Sequence, residues 1–311
     1  MSLNAMRSEI TSFTTRLPLV TAFPSKNILT PLFRNLFIWA GALLLLLPVA
    51  SQAQRKRINR IVIDAGHGGK DPGARGLFTN EKDLTLGIAL RLGKMIEDSL
   101  RGMSVVYTRT TDVFPSLRER HEIANRGDAD LFISIHINST AGRSERVQSG
   151  TTTVGKGKRK RTVPVYKTIH HRETSTSGTE TYVLGLHRTD QKADAIGEYS
   201  DQVTDEPGVM NPADPQTAII IAQYTEAFLV RSVNLGAKIE NALAATGRRS
   251  FGVKQKGLEV LAGSAMPGVL VECGFINNPS EETFMASEEG QKEIAHAIFK
   301  GIRDFRAESE R

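Results

Sequence analysis

The chain has 311 residues, 40% of them hydrophobic and 24% charged, which suits one globular domain with additions and excludes a fibrous or wholly disordered chain. The formal net charge is +6; Arg7, Arg16, Lys26 and Arg34 against Glu9 give residues 1–53 a share of +3, leaving +3 for the rest. So mild an excess makes no case for nucleic acid and fits an anionic polymer such as a cell wall, and the lone Cys273 excludes an internal disulfide framework, so a hydrophobic core must hold the fold.

The N-terminus reads as an export signal. Arg34 precedes an apolar stretch at 36–50, followed by Ser51-Gln52-Ala53, which offers small residues to a signal peptidase. The stretch has 15 residues, short of the roughly 20 that span a bilayer. Cleavage after Ala53 is expected, giving a protein secreted across the inner membrane into the periplasm. An uncleaved anchor is the alternative.

From Asn59 onward, strand-like and helix-like segments alternate. The β-branched run 61–63 ends in Asp64-Ala65-Gly66-His67-Gly68-Gly69, where the glycines force a loop. Asn80 reads as a helix N-cap, and Leu84, Ile88, Leu92, Ile96 and Leu100 follow at helical spacing. Residues 103–107 predict a strand, 117–124 a helix, and 131–137 a strand with Leu131, Ile133, Ile135 and Ile137 on one face. Residues 140–178, rich in Gly, Ser, Thr, Lys and Arg, read as a flexible basic insertion. A nucleic-acid patch there would want interleaved aromatics, which are missing.

Residues 181–184 predict another strand, and a polar segment at 187–216 follows. A long helix is expected over 218–245, short strands at 258–261 and 269–272, and a last helix carrying Ile294, Ile298, Ile302 and Phe305. The alternation implies an α/β sandwich with a parallel or mixed sheet. One catalytic domain over 54–306 with a short tail at 307–311 is the expected organisation.

In such sheets, ligands gather beyond the carboxyl ends of strands. Three strand ends carry polar residues there: His67, His136 and Glu272. Glu81, at the start of the following helix, can return to the same edge. Two histidines and a carboxylate form a common catalytic zinc set, and zinc polarises a carbonyl and lowers the pKa of water toward 7. A second carboxylate must then move the proton, and Glu272 is the candidate. Each residue also has a plainer reading. His67 could be a turn residue, His136 a core histidine, Glu81 a partner of the helix dipole, and Glu272 half of a buried ion pair.

The segments 61–74, 80–84 (Asn-Glu-Lys-Asp-Leu), 134–138 (Ser-Ile-His-Ile-Asn) and 271–278 (Val-Glu-Cys-Gly-Phe-Ile-Asn-Asn) resemble, in the right order, the motifs of the zinc-dependent N-acetylmuramoyl-L-alanine amidases. The resemblance covers about 58–306. It implies a six-stranded mixed sheet flanked by helices on both faces, Zn2+ held by His67, Glu81 and His136, and Glu272 as acid/base. It implies hydrolysis of the amide between the lactyl group of N-acetylmuramic acid and L-alanine in peptidoglycan. Arg120 is expected to bind a neighbouring loop, and Asn277 is a further candidate. Some members carry a helix before the long helix that blocks the zinc. The segment 187–216 stands there, and its Glu198, or Asp194 beside it, could reach the zinc, with a protein activator relieving the block; a plain acidic, solvated loop is the alternative reading.

Two other enzymes compete with this reading. A zinc carboxypeptidase would want a cation such as Arg75 or Arg109 for a terminal carboxylate. A cysteine hydrolase would pair Cys273 with His121 or His187, without a helix N-terminus to lower the thiol pKa. A non-catalytic peptidoglycan-binding protein would be expected to have lost a ligand or the acid/base, and all four residues are present.

Overall fold

The computed structural model describes residues 57–203 and 214–311, and residues Arg55–Arg311 form one compact unit. The export segment at 1–53 and residues 204–213 of the 187–216 segment lie outside the described residues. Among the described residues, no helix is long and apolar enough to cross a membrane.

Strand β1 (Arg60–Ala65) leads through a glycine-rich loop to α1 (Glu81–Ser99), then β2 (Ser104–Tyr107), α2 (Leu117–Arg126) and β3 (Leu131–Asn138). Two long strands follow, β4 (Arg143–Val154) and β5 (Arg161–His171). The chain continues through β6 (Thr179–Leu184), α3 (Thr189–Val203), α4 (Pro215–Ala244), β7 (Ser250–Lys256) and α5 (Glu259–Ala262). It ends in β8 (Gly268–Phe275), α6 (Pro279–Ala286) and α7 (Glu288–Ser309).

Six strands form a mixed sheet in the order β2-β1-β3-β8-β6-β7. The run from β2 to β8 is parallel, β6 is antiparallel to β8, and β7 is parallel to β6. The apolar stripe of α1 (Leu84, Ile88, Leu92, Ile96) packs with α4 and α7 on one face, over Ile61, Ile63, Ile133, Ile135, Val269 and Val271. Alternation along the strands sends Val62, Phe132 and Leu270 to the opposite face, where Ala124, Val260, Leu261 and Met266 cover them. Burying one such aliphatic side chain contributes about 1.5–3 kcal/mol, so this two-sided core suffices without a cross-link.

Three segments depart from the sequence reading. Residues 258–261 begin a short helix, not a strand, because a four-residue apolar run fits either. The strand lies just before it, as β7, whose Lys254, Gln255 and Lys256 are exposed at the sheet edge and hide its pattern. The basic insertion is a two-stranded antiparallel ribbon of β4 and β5. Its Thr and Val content supports extended strands despite the glycines.

Candidate metal centre

The period of two along each strand builds the site. In β3, Ile133, Ile135 and Ile137 enter the first core, so Ser134 and His136 share the side of Phe132. In β8, Glu272 shares the side of Leu270, and in β1, Asp64 shares that of Val62. Register places Ser134 beside Asp64 and His136 beside Glu272.

His67 follows β1 with a backbone φ of 60°, in the left-handed region that costs a non-glycine residue of order 1–3 kcal/mol. Arg120 holds it there. Its guanidinium donates to the His67 and Ala65 carbonyls at 2.7 and 2.8 Å and pairs with the buried Asp64 carboxylate. Arg109, also buried, donates to the Ala65, Gly66 and Lys82 carbonyls, tying the loop to α1. Arg120 is therefore a loop anchor, as expected, and Arg109 has no free face for a substrate carboxylate. Arg75 is exposed.

Glu81 opens α1 and bridges both histidines, with Oε2 3.1 Å from His67 Nε2 and Oε1 2.8 Å from His136 Nδ1. The three side chains offer ligand atoms within 4.8 Å of one another, a set able to hold a metal ion. The other nitrogen of His67, Nδ1, lies 2.7 Å from Asp71 Oδ2, so a carboxylate fixes the tautomer that leaves Nε2 free as a ligand. Close approach requires two glycines. A Cβ on Gly66 would sit 2.5 Å from the His136 ring, and one on Gly73 would sit 2.6 Å from Glu81 Oε2.

The electrostatics match a cation site. Burial lowers the His67 pKa, but the Glu81 and Asp71 carboxylates outweigh it and raise it to about 9. Burial raises Glu81, but hydrogen bonds from His136 and His67 hold it far below the usual carboxylate range. Glu272 differs. Burial, with Glu81 and Glu180 adding to it, pushes its pKa up to about 7 against the opposing effect of His136. Its Oε2 is sealed from solvent with no hydrogen-bond partner among the described residues. An orphaned buried carboxylate oxygen beside a ligand set is what a proton carrier needs, since it is free to gain or lose a proton near neutral pH. A cavity of about 370 Å³ with apolar walls (Phe114, Leu117, Leu258, Val260, Leu270) opens beside His67 and His136.

The fold brings together the four residues singled out from the sequence, His67, Glu81, His136 and Glu272. The sequence reading missed Asp71, whose signal was the four-residue spacing from His67. It also missed Glu180, which faces Glu272 across the β6–β8 pair and accepts hydrogen bonds from Asn138 and Tyr182. Asn277 approaches no ligand; it clamps the foot of the β4–β5 ribbon by bonding Thr140 and the Arg172 carbonyl. Cys273 is fully buried in the first core, and burial pushes its thiol far above the usual range, which removes it as a nucleophile.

Glu198 does not reach the ligand set, contrary to expectation. It is exposed on α3 and lines a different cleft, with Arg118, Glu122 and Asp194, between α2 and α3. Lys192 anchors this helix six residues earlier. Its buried ammonium donates to the Leu261 and Met266 carbonyls and to Ser264, pinning α3 on the outer side of that loop.

A family model described as N-acetylmuramoyl-L-alanine amidase matches residues 61–304. The chain is 31% identical over 265 residues to N-acetylmuramoyl-L-alanine amidase AmiC of Escherichia coli, covering 84% of this chain and 56% of that protein, so it spans about half of that relative's length. It is 30% identical over 274 residues to the uncharacterized protein YqiI of Bacillus subtilis, covering 88% of this chain and 97% of that one. Among solved structures, N-acetylmuramoyl-L-alanine amidase from Clostridium difficile 630 superimposes with a TM-score of 0.52 at 26% identity, covering 80% of this chain and 97% of that one. Sheet order, ligand set and the match over 61–304 agree: the chain belongs to the N-acetylmuramoyl-L-alanine amidase family.

Proposed function

We propose that this protein is a zinc-dependent hydrolase of peptidoglycan that cleaves the amide between the lactyl group of N-acetylmuramic acid and L-alanine, acting in the periplasm after export. The observation that carries this reading is the partnerless Glu272 oxygen next to His136 on the same sheet face as the His67–Glu81–His136 set. Two imidazoles and one carboxylate suit zinc and leave a fourth position open. Zinc bound there supplies Lewis acidity, polarising the amide carbonyl and lowering the pKa of water toward 7.

The chain's own residues do the rest. His67, His136 and Glu81 would hold the ion, with Asp71 orienting His67. Glu272, poised near pH 7, takes the proton of the attacking water and delivers it to the departing L-alanine nitrogen.

The test is product analysis on purified sacculi. Release of peptides with a free L-alanine amine, leaving a lactyl carboxylate on the glycan, is expected. Release of single C-terminal amino acids instead would establish the carboxypeptidase reading and overturn this one.

A further inference from the structure

Between residues 146 and 172, eight Lys and Arg side chains occur with no Asp or Glu (Arg146, Lys156, Lys158, Arg159, Lys160, Arg161, Lys167 and Arg172). Residues 54–311 carry a net +3, so everything outside this stretch sums to −5. Seven of the eight lie in the ribbon of β4 and β5, which also holds Arg143 and one carboxylate, Glu145, so the positive charge is concentrated on this element, and five of the cations crowd its tip at 156–161.

The ribbon is also two-faced. Cross-strand partners share a side, and the register shift between Gln148 and Gly150 keeps the alternation in phase beyond it. One side therefore carries Val147, Val154, Val163, Val165 and Ile169 with Thr152, Lys167 and Arg161, and toward the foot Arg143, Glu145 and His171. Val154 and Val165 are 37% and 40% exposed, and the other three are half-buried. The opposite side carries Ser144, Arg146, Thr151, Thr153, Thr162 and Tyr166. A two-stranded ribbon is marginal alone. This one is held at its foot, where Asn277 bonds Thr140 and the Arg172 carbonyl, next to the end of β3 that carries His136. Twelve residues of strand at about 3.4 Å each give it a reach of roughly 40 Å.

We propose that this ribbon is an arm that docks the protein on a bilayer containing anionic phospholipid. The cationic tip meets the phosphate headgroups, and the β-branched side lies in the interface. Juxtaposed cations and aliphatic side chains fit that surface, since each cation near an anionic leaflet adds to the attraction and the apolar side gains by leaving water. A glycan or a single-stranded nucleic acid would instead call for exposed aromatic faces. The ribbon has one aromatic residue, Tyr166, and the Arg146 guanidinium covers its ring at 4.5 Å.

The test uses zinc-loaded residues 55–311, the unit that holds the whole sheet and both cores, in co-sedimentation with vesicles. Phosphatidylcholine vesicles are compared with phosphatidylcholine–phosphatidylglycerol vesicles. Binding to the anionic vesicles alone, weakened by salt, is expected. Changing Lys156, Lys158, Arg159, Lys160 and Arg161 to Gln should lower partitioning at least about 100-fold. Val154→Ser with Val165→Ser should lower it about 10-fold, keeping the charge and testing the apolar side separately. Both variants should melt as the parent does and hydrolyse soluble muropeptides at the parent rate, and His67→Ala should still bind vesicles, so docking is read independently of turnover. Equal binding to neutral vesicles, or undiminished binding by the Gln variant, would overturn the proposal. So would charge-dependent binding to sacculi or DNA with none to vesicles.

Discussion

His136 and Glu272 are register partners on adjacent parallel strands, so a candidate ligand and a carboxylate with an unsatisfied oxygen stand side by side on one sheet face. On the proposed reading, metal binding and proton transfer are divided between neighbouring strands. Glu272→Gln is expected to keep bound metal and thermal stability while losing at least roughly 100-fold in turnover. His136→Ala is expected to lose the metal. Metal analysis alongside dye release from labelled sacculi separates the two, and equal metal loss in both variants would contradict the division.

Cys273, one residue further along β8, points into the opposite core. Cys273→Ser is expected to retain activity and to lose about 1–3 kcal/mol of stability, because a hydroxyl replaces a buried thiol. Urea unfolding and turnover of the same preparation check it. Loss of activity in a folded, metal-loaded Cys273→Ser would return the thiol to the mechanism.

Gly66 is in van der Waals conflict with any side chain, since a Cβ would lie 2.5 Å from the His136 imidazole. Gly66→Ala should displace that ring and weaken metal binding at least about 10-fold, a loss of the size seen when ligand orientation is disturbed. Gly150→Ala, where nothing lies within 4 Å, is the control and should bind metal normally. Competition with a chromogenic chelator measures both.

Acid stability should report the Asp64–Arg120 pair. Burial raises the Asp64 pKa, but Arg120, Ser134 and Thr108 together take it below its ordinary 3.8. A carboxylate depressed in the folded state contributes stability that is complete above the unfolded pKa and is lost as pH falls through the folded one. Wild-type stability should therefore decline from roughly pH 5 downward. Asp64→Asn should be less stable at pH 7 by about 3–5 kcal/mol, because Arg120 is left buried and unpaired, and its own acid decline should be shallower. Chemical denaturation at several pH values tests the slope.

The candidate ligand residues stood out in the sequence because they break strand ends that a core would fill with apolar side chains. His136 interrupts an Ile-rich strand, and His67 sits among glycines. The sequence concealed β7, where an exposed sheet edge carries polar residues and erases the alternation. It concealed the ribbon as well, since Gly, Ser and Thr belong equally to loops and to strands with no covered face. Glu198 was misplaced because its position depends on Lys192 meeting carbonyls at Leu261 and Met266, contacts some 70 residues away that no local pattern announces.

β8 is the last strand to leave the ribosome, yet it lies between β3 and β6 in the middle of the sheet. Until residue 275 has been made, the sheet can exist only as two fragments, β2-β1-β3 and β6-β7, each with a raw edge inviting wrong partners. Glu272 arrives on the very strand that closes this gap. A truncated or half-synthesised copy therefore cannot set Glu272 beside His136, and completion of the polypeptide itself serves as the checkpoint before the centre is assembled.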